Sequence, residues 1–374
     1  MIIGYEAKRI FRNFTGLGNY ARDLVSSIQA QSPESQLHLF TPSTGDQPRV
    51  QPFTRKPYHL ALPTGSWGPA WRSFGIAPQA QKLGVQVFHG LSNELPFDLE
   101  KHGIRSVVTI HDLIFRHYSD QYPWLDRKIY DFKFSSACRR ADKVVAISEA
   151  TKEDLIDMYQ VPAEKIQVIY QTCHDQFWTT CPAESLAAIR AKYQLPKTFC
   201  LYVGSIIPRK NLLRIVEAWH VMKPENRPVL VAIGGGKDYK ESVEKYIRVH
   251  RLGKWIKIMD PDFADFPALY QAASLFLYPA LMEGFGIPVL EALVSGTPVI
   301  TSNRSSLMEA GGPGSWHVDP TNREEIAQAV HHILGNQSLQ DQMIQQGLQY
   351  AERFRKQDLA AQWIELYGGL IAGH

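Results

Sequence analysis

Cysteine is scarce in this 374-residue chain: Cys138, Cys173, Cys181 and Cys200 are its four, and no two form a CxxC pair. That excludes a disulfide framework in so large a chain and makes a reducing compartment the natural expectation. His174 lies between Cys173 and Cys181, but the set is too small and too badly spaced for structural zinc, so no metal is expected. No window approaches the ~20 apolar residues that span a bilayer. The start, Met1-Ile-Ile-Gly-Tyr-Glu-Ala-Lys8, lacks the apolar region and cleavage site of a signal peptide. A soluble, cytoplasmic protein is expected, with peripheral docking at the inner face of a membrane left open. Charge of one sign is also missing. The net charge is only +3, and no basic run is interleaved with aromatics, so no nucleic-acid partner is expected.

What is present is globular: 44% hydrophobic residues, 21% charged, with 17 Phe, 16 Tyr and 8 Trp, too aromatic for a disordered chain. The length fits two domains. In the first half, short apolar runs read as strands at Met1–Gly4, Leu37–Thr41, Val85–His89, Ser106–Ile110, Lys143–Ile147 and Ile166–Ile169. Helical patterns fall between them at Tyr20–Gln29, Asp126–Arg140 and Ser148–Tyr159. The rhythm pauses at Thr179-Thr-Cys-Pro182, passes a helix ending before Pro196, and restarts. Strands follow at Phe199–Val203, Val229–Ile233, Ile256–Met259, Leu275–Tyr278, Pro298–Thr301 and Ser315–Val318. Helices are expected at Leu212–Met222, Tyr239–His250, Phe266–Ala273 and Pro288–Ser295, and a mostly helical tail from Glu324. Unbroken runs such as Val107-Val-Thr-Ile110 suit strands buried on both faces of a parallel sheet. The fold class is therefore α/β, with two Rossmann-like parallel-sheet domains at 1–180 and 181–355. A terminal helix at 356–374 is expected to cross back to the first domain. Ligands of such sheets bind beyond the strands' carboxyl ends.

Three segments carry chemistry. In Leu281-Met-Glu-Gly-Phe-Gly-Ile-Pro-Val-Leu-Glu291, Gly284 and Gly286 allow close backbone approach and Pro288 suits the first helical position. Glu291 is expected in the first helical turn. The N–H groups of Phe285, Gly286 and Ile287 offer an anion or hydroxyl site, and Glu283 and Glu291 can accept from sugar hydroxyls. In Tyr202-Val-Gly-Ser-Ile-Ile-Pro-Arg-Lys-Asn211, Gly204 and Ser205 follow a strand, and Arg209 and Lys210 precede a helix. A planar fork beside a point charge suits a diphosphate. In Phe14-Thr-Gly-Leu-Gly-Asn-Tyr20, Gly16 and Gly18 form a loop ahead of a helix. With Arg22 where a small residue would be wanted, this is not the GxGxxG of a dinucleotide site. His111-Asp112 ends the strand Ser106–Ile110. Ser148 reads as a helix cap. Gly234-Gly-Gly-Lys237 reads as a turn, and Asn303, Ser305 and Ser306 open the loop after the strand Pro298–Thr301.

The Glu283–Glu291 segment resembles the Glu-x7-Glu signature of family-4 glycosyltransferases, which have the two-domain GT-B fold. The resemblance covers nearly the whole chain and is mannosyltransferase-like in its His-Asp and Gly-x-Gly segments. It implies that Glu283 contacts the donor sugar, Glu291 the nucleotide ribose, and Arg209 and Lys210 the leaving diphosphate. It also implies that Gly16–Gly18 reaches the donor phosphate or the acceptor from the facing domain and that the His111 carbonyl faces the anomeric carbon, with Asp112 behind it. Gln171-Thr-Cys-His174 departs from the family's Asn-Gly-Val-Asp, which puts transferred roles at that edge in doubt.

The resulting expectation is retaining, metal-independent transfer of a hexose from a nucleoside diphosphate sugar to a carbohydrate or lipid-linked glycan in surface polysaccharide synthesis. GDP-mannose is favoured, with UDP-linked glucose or N-acetylglucosamine as alternatives. No Asp-x-Asp clamp stands in a suitable loop. The nucleotide sugar is a substrate, so no cofactor is expected. A nicotinamide-dependent oxidoreductase or epimerase is the runner-up, weakened by the missing GxGxxG and the lack of a clear Tyr-x3-Lys pair. A non-catalytic sugar-nucleotide binder is the third reading.

Overall fold

The computed structural model describes residues 1–63 and 68–373. The chain forms two compact units: Met1–Thr172 together with the tail from Phe354 onward, and Cys173–Arg353. The Thr179–Pro182 stretch lies inside the second unit, held by its backbone. Cys181 N–H donates to the Gln271 side chain at 2.8 Å, and Gln271 Nε2 donates to the Thr179 carbonyl at 2.8 Å.

The first unit is built on seven strands: β1 (Ile2–Glu6), β2 (Gln36–Phe40), β3 (His59–Ala61), β4 (Val87–Gly90), β5 (Arg105–Ile110), β6 (Lys143–Ala146) and β7 (Ile166–Val168). They pair in parallel in the order β3-β2-β1-β4-β5-β6-β7. Side chains alternate across a strand, and two cores follow from that period. Val108, Ile110, Val144 and Ala146 enter one core, while Val107 and Val145 enter the other. Both faces are covered, which is why Val107–Ile110 reads as one apolar run.

The second core also takes Leu359, Trp363, Leu366 and Tyr367 from the tail helix Lys356–Ala372. Trp363 stacks on His89 at 4.6 Å, and the Tyr367 hydroxyl meets His89 Nδ1 at 2.7 Å. Each such apolar side chain contributes about 1.5–3 kcal/mol when taken from water, so this helix is an integral layer of the unit.

The second unit has six parallel strands: β8 (Phe199–Val203), β9 (Val229–Ile233), β10 (Ile256–Met259), β11 (Leu275–Tyr278), β12 (Val299–Ser302) and β13 (Trp316–Val318). Their order is β10-β9-β8-β11-β12-β13. In each sheet the chain winds outward from one strand and then reverses, at β1/β4 in the first and β8/β11 in the second. Loops diverge at such reversals and leave a crevice at the strands' carboxyl ends.

Two local expectations are corrected. A seventh strand, β3, was not anticipated, because three residues are too few to show a period. The helix expected from Tyr20 begins at Gly16 and runs to Gln31, so both glycines are helical. Ser148 caps the helix Glu149–Tyr159 by accepting from Thr151 N–H at 3.1 Å, in agreement with its sequence.

Candidate functional site

At the β8/β11 reversal, two loops bring their charges onto one atom. The chain leaving β8 passes Gly204 and Ser205, makes a short turn at Pro208–Lys210 and enters the helix Leu212–Val221. The chain leaving β11 passes Glu283 and enters the helix Ile287–Val294. Glu283 Oε1 lies 3.0 Å from an Arg209 guanidinium nitrogen, 3.3 Å from Lys210 Nζ, and 2.9 Å from the Tyr278 hydroxyl that donates to it. Lys210 Nζ also donates to Tyr278 Oη at 2.6 Å, and Arg209 donates to the Met282 carbonyl. Among the described residues, the hydrogen bond and both ion pairs of the Glu283 carboxylate fall on Oε1 rather than Oε2. Burial opposes ionisation of Glu283, but Lys210, Arg209 and the Tyr278 hydroxyl outweigh it and hold the carboxyl below its usual range. All three charged side chains are largely buried, at 13%, 17% and 13% exposure for Arg209, Lys210 and Glu283. The cations are thus fixed in place in a medium where charge is weakly screened.

The surrounding backbone is braced. A Cβ on Gly204 would stand 3.2 Å from the Tyr278 ring and 3.4 Å from Lys210 Cδ, so glycine there lets the lysine stem lie against the loop. Asn211, buried and at φ +65°, donates to the carbonyls of Pro279 and Pro320, which ties the β8, β11 and β13 loops together. Ser305 and Ser306 donate to the Glu283 carbonyl at 3.2 and 2.7 Å, and Ser306 also to the Phe285 carbonyl at 3.0 Å. Gly286 has φ +120°, and a Cβ would meet Leu307 at 2.8 Å. It opens the helix whose first residue is Ile287, with buried Gly284 and Phe285 just before it.

Glu291 is not in the first turn of this helix: Ile287, not Pro288, is its first residue, and that turn holds no acid. The carboxylate instead accepts from the Tyr270 hydroxyl at 2.8 Å. Burial pushes its pKa up to about 7 despite Tyr270 and Lys210, which favour the anion. Its charge is therefore poised rather than fixed. Gly234 has a packing role, since a Cβ there would strike the Gly204 carbonyl at 1.9 Å. Asp260-Pro-Asp262, the Asp-x-Asp sequence of this unit, follows β10 at the sheet edge, with β9 between it and β8.

Gly16, Gly18 and His111 belong to the first unit. Gly18 is buried, and a Cβ would lie 1.8 Å from the Asn13 carbonyl oxygen. That close approach explains the glycine without a ligand, whereas Gly16 is exposed with open space around it. Arg22, the departure from GxGxxG, is buried and donates to the carbonyls of Ile10 and Asn13 at 2.7 and 2.9 Å and to Asn19 at 2.6 Å. A small residue there would leave those carbonyls without their donor.

The His111 ring is fully engaged. Nε2 donates to the Leu91 carbonyl at 2.9 Å, and Nδ1 accepts from Gln171 Nε2 at 3.1 Å. The edge of the Tyr20 ring packs on it, centroids 4.7 Å apart. Burial lowers its pKa to about 4, although the Leu91 carbonyl favours the charged form. This histidine is a neutral positioning group, and what it sets is its own backbone, whose N–H donates to Asn93 Oδ1 at 2.9 Å. Asp112 accepts from Ile114 N–H at 3.1 Å.

Sequence reasoning missed Tyr278, Tyr270, Asn211 and Gln171. The tyrosines left a signal, being polar-tipped residues in apolar segments where a buried hydroxyl needs a partner. Gln171 left none, because its partner His111 is sixty residues away.

Comparison with known proteins bears on the same residues. Residues 14–175 match the family described as Glycosyltransferase Family 4, and residues 187–350 match Glycosyl transferases group 1. The O-antigen chain mannosyltransferase B of Escherichia coli is 30% identical, with 98% of this chain and 99% of that protein covered. A glycosyltransferase from Rickettsia africae shares the fold, with a TM-score of 0.79 at 18% identity over 99% of this chain and 98% of that one. Anabaena HepE, solved with UDP, gives 0.78 at 15% identity over 98% and 99%. With two parallel sheets, and a carboxylate-pinned cation pair inside the matched group 1 segment, this chain belongs to the family-4 glycosyltransferases of GT-B fold.

Proposed function

We propose that the protein transfers mannose from GDP-mannose to a hydroxyl of a carbohydrate or lipid-linked glycan acceptor, with retained anomeric configuration, in the cytoplasmic synthesis of a surface polysaccharide. The observation that carries the reading is the convergence of Arg209 and Lys210 on one oxygen of Glu283. Negative charge grows on the diphosphate as the glycosyl bond breaks, and cations already in place stabilise that charge without reorganising. Glu283 Oε2, the oxygen not engaged by Arg209, Lys210 or Tyr278, would accept from donor-sugar hydroxyls, and Glu291 from the ribose. Gly204, Ser205, Gly284, Phe285, Gly286 and Ile287 would line the donor with backbone. Arg209 and Lys210 supply the countercharge, so no divalent ion is required. His111 is too weak a base to take the acceptor proton, which would pass to the departing phosphate.

Mannose is favoured by the near full-length relation to an O-antigen mannosyltransferase, and by a 26% identical stretch of 227 residues shared with a second, RfbU of Salmonella typhimurium. A UDP-sugar donor is the second reading, supported by the UDP complex of the structural neighbour. Thermal shift with GDP-, UDP- and ADP-sugars separates the two, because only a ligand that prefers the native state raises the melting point. GDP-mannose should give the largest rise; a rise with UDP-sugars alone would replace the donor. Turnover should persist in excess chelator, and loss restored by magnesium would refute metal independence.

A further inference from the structure

Two tyrosines stand side by side at the β8/β11 reversal, and their hydroxyls are used differently. Tyr202 of β8 and Tyr278 at the end of β11 are both fully buried, their rings stacked with centroids 5.9 Å apart. A buried hydroxyl needs a partner, and a backbone carbonyl suffices. Tyr202 takes that course: its hydroxyl donates to the Ser205 carbonyl at 3.3 Å and lies 3.5 Å from the Lys210 carbonyl. Tyr278 instead stands between two charged side chains, with Lys210 Nζ at 2.6 Å and Glu283 Oε1 at 2.9 Å.

Chemistry fixes the direction of both bonds. An ammonium has donors and no acceptor, so Lys210 donates to the phenol oxygen. The phenol keeps its own proton, because burial and the Glu283 carboxylate hold its pKa well above the ordinary value. That proton goes to Glu283. The lysine and the carboxylate meanwhile stay 3.3 Å apart, farther than the about 2.7–2.9 Å of a charge-assisted contact. Without the hydroxyl, the ammonium would exchange its bond to oxygen for a closer approach to the carboxylate, since attraction between buried charges grows as they near each other. A lysine gripped by one anion offers less to a second.

The hydroxyl is also held firmly. The Tyr278 ring stacks on Phe276 at 6.0 Å, and the Thr301 hydroxyl donates to the Tyr278 carbonyl at 3.1 Å. A Cβ on Gly204 would stand 3.2 Å from that ring. A group carried by a packed strand keeps its place better than one carried by a loop.

We infer that Tyr278 is a positioning residue for the donor diphosphate, a role that rests on the donor reading above. Its hydroxyl keeps Lys210 from closing onto Glu283 and so holds the ammonium ready for a phosphate oxygen. Tyr278 acts through Lys210 and makes no phosphate contact of its own.

The test is calorimetric titration of GDP and of UDP into wild type, Tyr278→Phe, Lys210→Ala and the double variant. Phenylalanine keeps the stacked ring, and melting temperatures check that each variant is folded. For the nucleotide that binds, Tyr278→Phe should weaken affinity about tenfold, and adding it to Lys210→Ala should cost about twofold or less, because the hydroxyl then has no ammonium to hold. Unchanged or tighter binding by Tyr278→Phe overturns the inference and leaves the donor reading standing. So does the same fold-loss in both backgrounds, which is the result a packing role would give. Failure of wild type to bind either nucleotide refutes the donor reading itself, and the inference with it.

Discussion

The two strand-order reversals have the same strand geometry and arrange their charges differently. At β8/β11 two cations converge on one carboxylate oxygen, Arg209 and Lys210 on Glu283. At β1/β4 acids and bases alternate in a chain, with Lys8 and Arg9 beside it. Glu6, buried at the end of β1, lies 2.9 Å from Arg72, and Arg72 lies 3.2 Å from Glu94, which also holds Lys133 at 3.2 Å. His111, beyond β5, adds no charge because burial keeps its ring neutral. Parallel strands supply a crevice in both units, and the side chains decide its ligand. Two buried cations on one carboxylate suit a diphosphate, while an alternation of acids and bases offers acceptors and donors together.

The largest expected effect lies on the cationic side. Arg209→Ala or Lys210→Ala should lower turnover by about 10²–10³, as loss of a preorganised charge contact does, measured as steady-state kcat with stability checked in parallel. Near-wild-type rates in both would erase the contrast between the two reversals. At β1/β4, Glu6→Ala leaves Arg72 with only Glu94 and should cost about 2–3 kcal/mol of stability in denaturant unfolding. Nucleotide affinity should be unchanged, and a parallel loss of it would mean the two sites are not separable.

Glu291 should act next, through pH. Its pKa is near 7 in the fold against an ordinary value of 4.5, so the native state holds the proton more tightly than the unfolded chain. The associated stabilisation is full below about pH 4.5 and is lost as pH rises through 7. Glu291→Gln should therefore match wild type at pH 4.5 and exceed it by about 1–2 kcal/mol at pH 8, the partial exposure of the carboxyl reducing the full shift. A stability gap that does not change with pH would refute the shift. The smallest effect is expected at His111. Nitrogen-15 NMR should show a neutral ring down to about pH 5, with titration near pH 6.5 contradicting the burial argument.

Much of this was legible in the residues. Buried strands such as Phe199–Val203 and Val229–Ile233 stand where their β-branched and aromatic runs put them, because a parallel strand covered on both faces has no solvent side to disguise it. Arg209, Lys210 and Glu283, singled out by their place after such strands and by the family resemblance, lie together in the fold. What escaped was tertiary. Gly18 looked like a ligand loop, and only the Asn13 carbonyl pressed against it reveals a packing constraint. The Glu291 partner, Tyr270, lies on another helix. Asn211 joins three loops far apart in the chain. No periodicity reports such pairings, since each is specified by the fold rather than by its neighbours in sequence.

The central claim is that Arg209 and Lys210 grip a diphosphate. Calorimetric titration with whichever of GDP and UDP binds, into wild type and the Arg209→Ala, Lys210→Ala double variant, tests it most directly. Affinity should fall about a hundredfold in the variant and wild-type binding should weaken with salt. Equal affinity in the two proteins would contradict it.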